Sequence, residues 1–143
     1  EPGLPLIVHA RDAATDTADI LVDEMKNGAF PGLIHCFTAG PELAKRALDI
    51  GFYISISGIA TFKNAETLRQ TILTVPEDRL LVETDSPFLA PVPQRGKRNE
   101  PSFVADTAGA LANLFDTDFE TLAARTTNNF YRLFAKAPRR EIQ

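Results

Sequence analysis

Two histidines and an aspartate carry the clearest chemical signal in this sequence. His9, His35 and Asp85 each close a short apolar run: Leu4-Pro5-Leu6-Ile7-Val8-His9, Gly32-Leu33-Ile34-His35-Cys36 and Arg79-Leu80-Leu81-Val82-Glu83-Thr84-Asp85. Neutral imidazole and carboxylate are the ligand types that suit Zn, Mn or Fe-like divalent ions. A lone histidine at a strand end is more often a hydrogen-bonded structural residue than a ligand, and Asp85-Ser86-Pro87 also has the composition of a turn or helix start. The recurrence of the pattern at three strand ends is what favours a metal. Glu83, two positions before Asp85, shares its face in an extended strand and reads as buried within the sheet, where a carboxylate needs a cation or donors.

Other reactive types are fewer. Arg11 follows His9 by two positions and could grip an anionic substrate, a surface ion pair being the alternative. Arg95, Lys97 and Arg98 form the one dense basic cluster, which reads either as an anion-binding loop or as a solvated one. Cys36 adjoins His35, but neighbouring strand residues point to opposite faces, so it reads as a buried small apolar residue rather than a nucleophile. The chain has neither a G-x-G-x-x-G nor a Walker loop, so nucleotide cofactors are not indicated.

The elements that position these groups follow from pattern and punctuation. The three runs above, with Phe52–Gly58 as a fourth that alternates at period two, read as strands, the first two fully buried. Between them lie helical patterns at 13–26, ended by Gly28, at 41–50, ended by Gly51, and at about 64–73, stopping before Pro76. Helices over 101–115 and 118–134 follow, the last with Thr117 and Glu120 spaced for a capping box. Strands recurring about every 25 residues between helices call for a parallel sheet with right-handed crossovers. Such a sheet collects its reactive groups at the strand C-termini. The stretch from Pro87 to Pro101 holds four prolines and is the one long irregular segment; loops of that length in a compact domain tend to be functional.

Composition sets limits. The 143 residues are 44% hydrophobic and 24% charged, with a net charge of −4. That is enough for one globular domain, and it excludes disorder and polyanion binding by bulk electrostatics, so a nucleic-acid partner would need a local basic patch or a metal. A single cysteine makes no internal disulfide and fits the cytoplasm. No apolar run approaches the roughly 18 residues of a membrane span, and Glu1-Pro2-Gly3 opens no signal peptide. A buried-looking strand that begins within a few residues, with no initial Met, suggests that polypeptide is missing upstream.

Taken together, the segments Pro5–Ala13, His35-Cys36-Phe37-Thr38, Ile54–Gly58, Glu83-Thr84-Asp85-Ser86-Pro87 and Arg95–Pro101 resemble the TatD family of metal-dependent hydrolases and deoxyribonucleases. In order and spacing the resemblance covers essentially the whole chain. It implies an α/β fold of four consecutive parallel βα units, the C-terminal half of a TIM-like (β/α)8 barrel of the amidohydrolase superfamily over residues 1–143. It implies a site at the strand C-termini with one or two divalent ions (Zn, Mg or Mn), held by His9, His35 and Asp85, with Asp85 also helping to activate water. Arg11, Lys97 and Arg98 would then hold phosphates of a DNA substrate. The family's early His-x-His strand and its metal-bridging glutamate are not in this sequence, and Thr38-Ala39-Gly40 carries one residue more than the Thr-Gly typical there.

The expected partners are therefore DNA and either the N-terminal half or a second copy of the chain, because four strands leave two edges and one sheet face open. The 143-residue chain alone is expected to be weakly active or inactive. Two other readings stand beside the deoxyribonuclease: a hydrolase of the same superfamily acting on a small ester, lactone, amide or phosphotriester, and a non-catalytic flavodoxin-like α/β domain with structural histidines.

Overall fold

The apolar runs form strands and the periodic segments form helices, alternating as far as the fourth strand and ending in two successive helices. In the computed structural model, which describes residues 3–139, the strands are β1 (Leu6–His9), β2 (Gly32–His35), β3 (Tyr53–Ile56) and β4 (Leu80–Val82). The α-helices are α1 (Ala14–Asn27), α2 (Pro41–Asp49), α3 (Glu66–Ile72), α4 (Val104–Leu114) and α5 (Phe119–Leu133). Glu1 and Pro2, read above for a targeting signal, lie outside the described residues. All four strands are parallel, in the order β1-β2-β3-β4, with His9 in register with His35. Sequential order with helical crossovers makes this a succession of βα units whose strand C-termini share one rim.

The main core lies between the sheet and its helices. Ile34, Ile54, Ile56 and Leu80 from the strands meet Leu21, Leu43, Ala44, Ile72, Leu111 and Leu122 from the helices, with Phe37 and Phe52 closing gaps. The opposite face carries a smaller cluster of Leu33, Tyr53, Leu81 and Leu133. β2 is buried along nearly its whole length, as its apolar run predicts, and β3 is buried throughout although its sequence alternates large and small residues. β1 departs from expectation: Leu6 and Ile7 are 45% and 60% exposed. It is an edge strand, so its apolar residues lack the second neighbour that would bury them.

Helix boundaries fall close to those read from sequence, with three differences, the first being that the helix expected from 101 begins at Val104, after a 3-10 turn over Pro101–Phe103. The third helix begins at Glu66, because Gly58–Thr61 forms a 3-10 turn and Asn64 and Ala65 lead into the helix instead of starting it. The last helix is capped by Asp118, one residue after the expected Thr117. The Asp118 carboxylate accepts from the Thr121 backbone N–H and from its hydroxyl, each at 2.7 Å, and these bonds hold the Asp118 pKa below the ordinary carboxylate value. A lowered folded-state pKa adds stability that is present above the unfolded carboxyl pKa and is lost as pH falls through the folded one. Asp118→Ala is therefore expected to lower the melting temperature at neutral pH and to flatten its acid dependence, as pH-resolved thermal denaturation would record.

Candidate metal centre

Three of the residues at the rim converge tightly. One nitrogen of His35 and one oxygen each of Glu83 and Asp85 lie within 4.8 Å of one another. His35 ends β2, whereas Glu83 and Asp85 stand just beyond the last residue of β4. The ladder nevertheless continues through Glu83, whose N–H donates to the Ile56 carbonyl at 2.9 Å. Asp85 then turns into the left-handed region at φ 57°, as Cys36 does at φ 45°. Non-glycine residues are held in that region only where surrounding contacts enforce it, and such places cluster at functional sites.

Hydrogen bonding fixes the imidazole. Glu83 Oε2 lies 3.0 Å from His35 Nδ1 and also accepts from the Cys36 N–H at 3.0 Å. An ionised carboxylate only accepts, so Nδ1 carries the proton and the Nε2 lone pair is left facing the rim. That Nε2 is 3.3 Å from Asp85 Oδ1. Two acceptors at this distance repel unless a proton or a cation lies between them. Two ligands about 2.0–2.1 Å from a tetrahedral ion stand about 3.3 Å apart, which matches this spacing.

A second observation points the same way. Glu83 Oε1 lies 2.9 Å from Nδ1, but the other oxygen takes the hydrogen bond, and Oε1 is buried with no hydrogen-bond partner among the described residues. A buried, uncompensated carboxylate oxygen calls for a positive charge. An imidazole nitrogen with carboxylate oxygens is also a borderline-to-hard donor set suited to a divalent ion. The residues present thus fit a metal.

The remaining candidates divide. His9 and Arg11 line a cavity of about 450 Å³ together with Cys36, Thr38, Asp85 and Phe88. The His9 ring is 5.8 Å from that of His35, beside the tight cluster but outside it. Arg11 is exposed, with no ion pair among the described residues. Lys97 and Arg98 are exposed on the proline-rich loop and do not line this cavity; Lys97 bonds Gln94, and Arg95 stacks 3.7 Å over the Phe62 ring. Cys36 is buried as expected, with its Sγ 3.2 Å from the Ser57 hydroxyl.

Two contributors escape a reading by residue type. Glu83 reads from sequence as a buried carboxylate, but its hold on His35 spans 48 positions and needs the fold to be seen. Asn99, 3% exposed, donates to the Thr84 and Phe88 carbonyls at 2.8 and 2.6 Å and clamps the turn that carries Asp85. The same loop packs on Gly58, where a Cβ would overlap the Leu89 carbonyl oxygen. The only sequence signal for Asn99 is an amide-bearing side chain in a proline-rich stretch.

Comparison with known proteins now decides the family. The family model described as "TatD related DNase" matches residues 1–135. The chain belongs to the TatD-related DNase family. It is 56% identical over 130 residues to the Escherichia coli K12 protein named uncharacterized metal-dependent hydrolase YcfH, covering 91% of this chain and 49% of that one. It is 47% identical over 134 residues to Bacillus subtilis YabD, of the same description, covering 94% and 52%. Among solved structures, that of YJJV, a TatD homologue from E. coli K12, superposes with a TM-score of 0.82 at 27% identity, over 94% of this chain and 51% of that one. This TatD-family chain thus spans about half the length of the relatives it matches, and its four parallel βα units form a partial barrel.

Proposed function

We propose that this TatD-family chain contributes the metal-holding rim of a hydrolase that cleaves phosphodiester bonds of DNA, residues 1–143 being the C-terminal half of the barrel. The observation that carries this reading is the pair of acceptors, His35 Nε2 and Asp85 Oδ1, held 3.3 Å apart beside a buried Glu83 oxygen that makes no hydrogen bond among the described residues. His35 and Asp85 would hold the ion, with His9 at the edge of the same cavity. A divalent ion bound there supplies Lewis acidity and a more acidic water. Asp85, whose carboxylate faces the same opening, would serve as the base that takes up a proton from water. Glu83 holds the His35 ring in one tautomer and one orientation. Arg11 supplies charge-assisted hydrogen bonds to a phosphate entering the cavity, and Lys97 and Arg98 hold flanking phosphates farther along the strand.

No helix among the described residues is long and apolar enough to cross a membrane. We assign the enzyme to the cytoplasm, on the single unpaired thiol. The test compares metal-dependent cleavage of DNA with that of small esters and lactones by the full-length enzyme carrying this sequence, before and after His9→Ala and His35→Ala. The expected result is DNA cleavage that needs a divalent ion and falls, together with metal content, in both variants. Unchanged metal content and cleavage, or turnover of the small substrates alone, would overturn the reading.

A further inference from the structure

A buried asparagine grips β4 at each of its ends. At the start of the strand Asn129 of α5, 2% exposed, donates through its amide to the Glu77 and Leu80 carbonyls at 2.8 and 2.9 Å. Beyond the other end Asn99 makes the matching pair of bonds, to the Thr84 and Phe88 carbonyls. The backbone N–H of Asn99 also donates to the Pro87 carbonyl at 3.1 Å, and its Oδ1 accepts from the Glu100 N–H at 2.9 Å. Both ends of the carboxamide are thus engaged. Turned over, it would set its oxygen against two carbonyl oxygens, so the network fixes which way it points.

Asp85 lies between the two carbonyls that Asn99 joins. Its oxygen stands 3.3 Å from His35 Nε2, and two acceptors repel until a cation lies between them. Side-chain attraction therefore does not bring Asp85 to His35; the backbone beneath it does. That backbone is in the left-handed region at Asp85, a conformation kept only where neighbours enforce it. The Phe88 N–H on the Asp85 carbonyl closes the turn at 2.9 Å, but only Asn99 ties its far side, Phe88, back to the strand side, Thr84. Farther along, the loop is moored to the turn after β3: the Val92 N–H donates to the Thr61 hydroxyl at 2.9 Å, and that hydroxyl donates to the Gly58 carbonyl at 2.7 Å.

We propose that Asn99 is a positioning residue of the metal centre, which holds the Asp85 carboxylate at ion-sharing distance from His35 Nε2 by bridging Thr84 and Phe88. The proposal rests on the reading of His35 and Asp85 as metal ligands. It gives the proline-rich loop a task that its charges do not perform: the loop returns an amide to the root of the turn that carries the ligand. Asn129 supplies the built-in comparison, because it makes the same two kinds of bond to the same strand at the end remote from the rim.

Titration of the full-length enzyme carrying this sequence with zinc alone tests this, beside melting curves. Asn99→Ala is expected to bind zinc about 10–100-fold more weakly, the usual cost of removing a group that orients a ligand. Asn129→Ala is expected to lower the melting temperature comparably and to keep the parent's zinc affinity. Circular dichroism checks folding, and Asn99→Ser replaces Asn99→Ala if the latter does not fold. Whether Asn99 acts through Asp85 is read by combining the two changes. In the Asp85→Asn background, Asn99→Ala is expected to alter zinc affinity by no more than about twofold, the scatter with which unconnected changes add. Parent-like zinc binding by the Asn99 variant, equal losses in the Asn99 and Asn129 variants, no loss in Asp85→Asn, or the full further loss in the double variant would each overturn the proposal. An enzyme that cleaves no DNA would overturn the proposed substrate and leave this reading to the zinc affinities alone.

Discussion

Asp85→Asn in the full-length enzyme is expected to lower the proposed metal-dependent hydrolysis by about 10²–10⁴-fold, the usual worth of a positioned acid–base group. The change is clean on structural grounds. Asparagine accepts the left-handed φ of 57° as readily as aspartate, and the turn is held from elsewhere, by the Phe88 N–H on the Asp85 carbonyl and by Asn99 on its flanks. What is lost is a negative oxygen beside His35 Nε2 and a base able to take a proton from water. Rates at saturating metal, set against melting temperatures, would check this. A variant that keeps its rate with a normal melting curve would mean that Asp85 is a turn residue only.

Glu83→Gln is expected to weaken metal binding by about 10–100-fold, the range found when a group behind a ligating histidine is altered. The argument is one of proton placement. Glu83 Oε2 accepts from both Cys36 N–H and His35 Nδ1. A glutamine can keep its oxygen on the Cys36 N–H, but its amide nitrogen then takes the place of Oε1, 2.9 Å from Nδ1, where its N–H groups oppose a protonated Nδ1. The imidazole responds by moving its proton to Nε2, the nitrogen that faces Asp85, where it blocks coordination. Zinc or manganese titration of the parent and variant chains reads the effect directly. Equal affinities would show that Glu83 does not set the tautomer.

Much of this architecture is legible in the amino-acid order, and the exceptions have physical causes. β3 shows in the sequence as large and small residues in alternation, with Ser55 and Ser57 buried among them, and β2 as an apolar run buried at nearly every position. β1 carries the same pattern yet is exposed, because a strand's sequence records the neighbours it is built to meet, and here one side is open. Thr117 and Asp118 are both good helix caps; the carboxylate prevails because its two oxygens engage both donors of Thr121. His35 and Asp85 are legible as polar residues at the ends of apolar runs. The work of Glu83 and Asn99 is not, since it consists of bonds to groups that only the folded chain brings near. The basic residues 95, 97 and 98 look like a single patch in sequence, but the loop assigns Arg95 to an aromatic ring and Lys97 to Gln94.

Cys36 gives the centre a gauge of its own. Burial above all pushes its thiol up, the Ser57 hydroxyl opposing, so the sulfur is a poor nucleophile while the rim is shut. Its backbone N–H is tied to the same carboxylate oxygen that steers His35. An electrophile in solution must therefore come through the cavity that Cys36 shares with His9, Arg11 and Asp85, where the residue is only 7% exposed. The alkylation rate of one native atom thus reports how open that cavity stands, with no label introduced.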